Sequence, residues 1–261
     1  HQRKFMQTDV SKTSTEEIPE IPWITRLQPR HKRGLPDSGP DYDLRPPRKA
    51  KEILKSDYYY FDDETHGDEK SGKMYVPKAL LGSGASGFVF EAEDVRTKEK
   101  VAIKIIPNSM KDSITNEILV NHMVQANYFE TSMHSIFDHI VRVIRIFEGP
   151  RNFYFVMELM GDHLYRSIER RNIGGMPEHF ARDVCRSILL GLTHLHSMNV
   201  IHSDIKPENL LLPLDATNSD DMLYRKLKLC DMGFASKVAN ARAGLGTLAY
   251  MSPEDFNKDT L

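Results

Sequence analysis

The sequence predicts an α+β fold of two lobes, a small antiparallel sheet carrying one helix followed by a mainly helical lobe. Three observations predict it. Five short runs, YVPKALLG, GFVFEAEDV, KVAIKIIP, IVRVIRIFEG and FYFVMELM, alternate apolar and polar residues with the period of a strand. Between the third and fourth, SMKDSITNEILVNHMVQ places Ile114, Ile118, Leu119 and Met123 at helical spacing. After Gly161 the strand period gives way to a helical one.

The second lobe follows in order. HLYRSIERRN reads as a short helix, and PEHFARDVCRSILLGLTHLHSM as a longer one with Phe180, Val184, Ile188, Leu192 and Leu195 along one face. A loop, HSDIKPENLL, and a short hairpin-like LKLCDMG come next, then a polar stretch ending in GTLAYMSPED. The expected domains are a basic, proline-rich tail over 1–72, a sheet lobe and connecting segment over 73–161, and a helical lobe over 162–261.

Seven of the 14 prolines fall in the first 50 residues, among basic and polar side chains, so the tail is expected to be disordered or extended. Its clusters at Arg30, Lys32, Arg33 and at Arg48, Lys49, Lys51 read as a nuclear import signal or as solvated charge on a linker. Thirty-five Lys and Arg against 37 Asp and Glu give a net charge of -2, which is no footprint of a nucleic-acid or membrane binder. The two cysteines, Cys185 and Cys230, do not make a disulfide framework, so an intracellular setting, cytoplasmic or nuclear, is expected.

Four stretches carry the chemistry. In GSGASG, Gly82, Ser83, Gly84 and Gly87 expose backbone N–H groups to which phosphate oxygens can come close. A dinucleotide-binding glycine loop would run into a helix, whereas FVFEAEDV continues as a strand. VAIK ends in Lys104, thirteen residues ahead of the helix-borne Glu117. HSDIKPENLL brings Asp204, Lys206 and Asn209, and DMG brings Asp231.

In this order and at about this spacing, the four stretches resemble the eukaryotic protein kinases of serine/threonine type, over residues 76 to 261, with the last helices of the domain not included. The resemblance implies ATP and Mg2+ as cofactors and a protein substrate with a Ser or Thr hydroxyl; it names no regulatory partner. It further implies that Asp204 orients the hydroxyl as the base, with Lys206 beside it and Thr247 buttressing the loop. Asn209 and Asp231 are implied as magnesium ligands, and Lys104 with Glu117 as the phosphate-side ion pair. Met157 is then the gatekeeper, Glu158 and Met160 offer main-chain groups to adenine, Val89, Ala102 and Leu211 sandwich the ring, and Asp162 reaches the ribose or a basic substrate side chain.

Several positions depart from the family pattern. Ser203 stands where an Arg commonly receives an activation-loop phosphate, and Ala243 where that phosphate is commonly carried. Their joint absence predicts an activation loop ordered without phosphorylation. Met232 replaces the usual Phe, and Asn121 occupies an apolar position four residues after Glu117. The alternative expectation is a non-catalytic, nucleotide-binding pseudokinase or scaffold, or an inactive fragment.

Overall fold

A computed structural model of the chain describes residues 24–26, 75–84, 87–130, 138–149, 152–171, 176–214, 223–242 and 244–256. The basic clusters near residues 30 and 50, Ala243, and Ala85 and Ser86 of the glycine loop lie outside them.

The strands of the first lobe are β2 (Tyr75–Gly84), β3 (Gly87–Asp94), β4 (Lys100–Pro107), β5 (Val143–Glu148) and β6 (Asn152–Glu158). They pair antiparallel in the order β5-β6-β4-β3-β2. A sixth strand, β1 (Ile24–Arg26), joins parallel to β5 at the edge, in a region where the sequence predicts no element. A strand of three residues is too short to display a period, so the pairing is invisible to pattern reading.

β4 is apolar at nearly every position because both of its faces are covered. Ile103 and Ile105 pack with Tyr75, Phe90, Phe147 and Tyr154 on one side. On the other, Ile106, Val143, Ile146, Phe153 and Phe155 meet Ile114 and Ile118 of helix α1 (Lys111–Glu130). Lys104 sits on this second face, between Ala102 and Ile106, opposite Val89 on β3 and Phe155 on β6. Further along α1, Val120 and Val124 enter the core of the helical lobe, so one helix contacts both cores.

The second lobe contains α2 (Leu164–Arg171) and α3 (Glu178–Ser197), the short strands β7 (Val200–Ile201), β8 (Leu210–Leu211), β9 (Lys228–Leu229) and β10 (Ser236–Lys237), and several 3-10 turns. β8 pairs with β9 and β7 with β10, and these two small ladders position the loops that carry Asp204 and Asp231.

α3 buries Phe180, Val184 and Leu195 as the sequence predicts, but the centre of the buried row is Ser187, Gly191 and His194. Ile188 and Leu192 are partly buried at its margin. An apolar-residue scan cannot find these positions. Ser187 is buried because its hydroxyl donates to the Tyr224 carbonyl at 2.8 Å, and Gly191 because Leu229 and the His139 carbonyl leave no room for a side chain.

Burial pushes His194 down from 6.5 to about 4, and His202 is also lowered, first by burial. Between pH 6.5 and about 4 the unfolded chain binds a proton at His194 that the folded chain does not. Stability must therefore fall as pH falls through this window. The drop in Tm on acidification should be smaller in a His194→Gln variant than in wild type, as thermal melts at a series of pH values would show.

Candidate active site

Three elements converge on Lys104. Its ammonium lies 2.7 Å from Glu117 Oε1 on α1 and 2.8 Å from Asp231 Oδ1 after β9. The thirteen-residue interval between Lys104 and Glu117 is thus long enough, because β4 and α1 lie directly against each other. Burial alone would lower Lys104; the two carboxylates outweigh it and hold the group above its ordinary value. Burial would raise Asp231, but Lys104 wins and its carboxyl is held below the usual value.

Asp231 has φ 63, in the left-handed region, where its Oδ1 accepts from the Gly233 N–H at 3.4 Å. Such a backbone costs about 1–3 kcal/mol and persists only where its surroundings fix it. Here the ion pair with Lys104 does so from one side, and Met232, buried in the lower core, does so from the other.

Asn121, the polar residue in an apolar position, is buried and donates its side-chain N–H to the Glu117 carbonyl at 2.7 Å. The amide is thereby satisfied within α1, one turn along from the carboxylate that meets Lys104.

The second cluster surrounds Asp204. Its Oδ1 accepts from the Thr247 N–H at 2.8 Å and the Thr247 hydroxyl at 2.7 Å. Its Oδ2 meets Lys206 Nζ at 2.8 Å and Asn209 Nδ2 at 3.0 Å. Burial would raise the Asp204 carboxyl, yet Lys206 and Thr247 hold it below its usual value, so it stays ionised at neutral pH. Lys206 and Thr247 also touch each other at 2.6 Å.

Two residues that sequence reading left without a role complete this cluster. His202 Nε2 lies 3.0 Å from the Cys230 carbonyl and ties the Asp204 loop to the strand leading into Asp231. Gly246, with φ +107, lies against the Ser203 backbone: a Cβ there would stand 2.3 Å from the Ser203 carbonyl oxygen. Ser203 itself is left-handed, at φ 65. Gly246→Ala should therefore displace Thr247 from Asp204. We expect stability to fall by about 1–3 kcal/mol, measured by denaturant unfolding, and any reaction that depends on Asp204 to slow about 10- to 100-fold.

The end of β6 and the segment that follows it carry the remaining residues. Met157 pairs in register with Ala102, and the Glu158 carboxylate is held by Lys228 and by the Arg142 N–H. Next to Met160, the Gly161 N–H donates to the Leu212 carbonyl at 2.8 Å, and the Leu212 N–H returns a bond to Asp162 at 3.0 Å. Leu211 is thereby held under this segment, on the strand that follows Asn209. The Asp162 carboxylate is engaged by Arg170 and, at 3.6 Å, by Arg166, both on α2, so a ribose or a basic side chain would have to compete with two guanidinium groups.

Whether Mg·ATP fits can be asked of the side chains themselves. Gly82 and Gly84 face open space, where a Cβ would meet nothing within 4 Å, and Ser83 between them is exposed. Gly87, with φ +119, presses on the Ile105 carbonyl, where a Cβ would collide at 2.0 Å, and so turns the chain back into β3. Asn209 commits its Nδ2 to Asp204, at the backbone carbonyl and at Oδ2, which leaves its amide oxygen for a cation beside Asp231. Among the described residues no group of three His, Cys, Asp or Glu side chains could hold a metal unaided. An amide and a carboxylate suit Mg2+ shared with phosphate oxygens and water. These residues fit the group.

An antiparallel sheet with one helix, a lysine paired to that helix, and two loop aspartates of the helical lobe thus come together in one site. The model of the protein kinase domain family matches residues 75–260, and the chain belongs to the protein kinase family. Its relatives include Serine/threonine-protein kinase D2 of Rattus norvegicus, of Mus musculus and of Homo sapiens, each 31% identical over 186 residues, which cover 68% of this chain and 19% of the relative. The chain thus spans about a fifth of the length of these curated relatives.

Among the described residues no helix is long and apolar enough to cross a membrane.

Proposed function

We propose that the chain is the catalytic part of a serine/threonine protein kinase that transfers the γ-phosphoryl of Mg·ATP to a protein hydroxyl, with an activation segment that needs no phosphate to be ordered. The observation that carries the reading is the single ammonium of Lys104 paired with both Glu117 and Asp231, because it links the sheet, α1 and the loop before the activation segment in one cleft.

Within this reading the chain's own residues divide the work. The glycine loop and Lys104 hold the phosphates, while the main chain at Glu158 and Met160 takes the base between Val89, Ala102 and Leu211. Asp204 orients the acceptor hydroxyl and takes its proton as the oxygen bonds to the γ-phosphorus and the bond to the β-phosphate oxygen breaks, releasing ADP. A carboxyl held below its usual value is a weak base, so orientation is the larger part of its role. Lys206 stands where it can meet the transferring phosphoryl group, and Mg2+, when bound at Asn209 and Asp231, neutralises phosphate charge.

The reading of the activation segment rests on Ser203 and on what anchors the segment. Thr247 is bound to Asp204 and Lys206, and Gly246 packs on the Ser203 carbonyl, so these anchors require no added charge. The two free cysteines agree with a cytoplasmic or nuclear setting, which we include in the proposal.

The test begins with thermal melts with and without Mg·ATP. At about 100 times Kd the nucleotide should add about 2.7 kcal/mol to stability. Radiolabel transfer to Ser and Thr peptides, but not Tyr peptides, should follow, and prior phosphatase treatment should leave the rate unchanged. Nucleotide binding without any transfer would make the chain a scaffold; loss of transfer after phosphatase would remove the claim about the activation segment.

A further inference from the structure

Lys228 opens β9, three residues ahead of Asp231, and faces away from the phosphate end of the cleft toward the connecting segment. Its ammonium lies 2.9 Å from both oxygens of the Glu158 carboxylate. The two side chains are only 18% and 22% exposed, so solvent screens the pair less than a surface contact.

Both partners are fixed independently. The Glu158 Oε1 accepts from the Arg142 N–H at 2.7 Å, and the Glu158 N–H donates back to the Arg142 carbonyl at 3.0 Å. On the other side, the Leu229 N–H donates to the His139 carbonyl and the Leu229 carbonyl accepts from the Val141 N–H, each at 2.8 Å. In the β8–β9 ladder Lys228 lies directly across from Leu211. One ammonium therefore joins the segment whose main chain would meet the edge of adenine to the strand pair whose Leu211 would lie under its face.

We propose that Lys228 is a positioning residue for the nucleotide, clasping Glu158 so that the edge and floor of the adenine site are held in register before the base arrives. The inference rests on the kinase reading above. Ordering a flexible segment on binding costs affinity, and a clasp already closed in the free protein removes that cost. Lys228 touches neither the phosphates nor the acceptor, so its contribution lies in nucleotide affinity and not in the rate of transfer.

The test uses the 261-residue chain, calorimetric titration with Mg·ADP, and transfer rates as a function of Mg·ATP. Lys228→Met should weaken Mg·ADP about five- to tenfold and raise KM for ATP by a similar factor, with kcat within about twofold. Lys228→Arg, which can hold both carboxylate oxygens, should restore affinity to within about twofold of wild type. Glu158→Gln keeps an acceptor for Arg142 and should reproduce the Lys228→Met loss, with no further loss in the double variant. This variant decides the matter if Lys228→Met does not fold. An unchanged Kd in Lys228→Met and Glu158→Gln, or a loss that appears in kcat alone, overturns the clasp while wild-type binding keeps the kinase reading. A wild-type chain that fails to bind Mg·ADP overturns both.

Discussion

Asp204→Asn should lower phosphoryl transfer by about 10²- to 10⁴-fold while the rise in Tm on adding Mg·ATP persists. The geometry around the carboxylate explains why so small a change should cost so much. Both oxygens are filled by donors: the Thr247 N–H and hydroxyl on one, Lys206 and Asn209 on the other. An amide supplies only one acceptor oxygen, so in either orientation its NH2 meets donors. The variant loses both the group that takes the hydroxyl proton and the clamp that aims it. The unsatisfied pairings should add about 1–3 kcal/mol of instability, visible in denaturant unfolding. The nucleotide residues around Lys104, Glu158 and Leu211 are untouched, so binding serves as the internal control. Transfer within about tenfold of wild type would remove Asp204 from the chemistry.

The residues of this site differ in how far the sequence reveals them. Asp204, Lys206 and Asn209 occur within six residues, and local spacing is enough to mark them. The five antiparallel strands and three helices are legible for a similar reason, since each is long enough to display a period. What stays hidden involves partners distant in the chain or backbone conformation. Glu158 and Lys228 are 70 residues apart, and neither belongs to a signature by its side chain. Gly246 resembles any loop glycine until the Ser203 carbonyl is seen against it. Ser187 and His194 read as polar interruptions of an apolar helix face, and only the packing of α3 shows them to be buried. Asn121 is the instructive case: the sequence marks it as a misfit, and the structure supplies a donor bond to the Glu117 carbonyl that makes the amide tolerable there.

Lys104→Met should cost about 3–5 kcal/mol of stability in addition to nucleotide binding, and the deficit should shrink on acidification. Wild-type Lys104 separates two carboxylates, at 2.7 Å from Glu117 and 2.8 Å from Asp231, with Glu117 only 5% exposed. Methionine fills the space but leaves both acids without a counter-charge, Glu117 closed to water and Asp231 partly open to it. Burial already pushes Glu117 up, and Lys104 is the group that opposes it. Without the lysine, Glu117 should take a proton in the folded state at a pH where the unfolded chain remains ionised. A carboxyl raised on folding binds more protons folded than unfolded, so the variant should gain stability as pH falls toward its unfolded value of 4.5. In the wild type the contribution of Asp231, whose carboxyl is held low by Lys104, stays intact down to its ordinary value of 3.8 and is lost only below it, so over a milder acid range the change comes from Glu117. Unfolding midpoints from about pH 8 to about pH 5 should therefore converge between the two proteins. A deficit below about 1 kcal/mol that does not vary with pH would mean that the three charges are not held together in solution, and that the ion pair linking sheet, helix and loop does not organise the cleft.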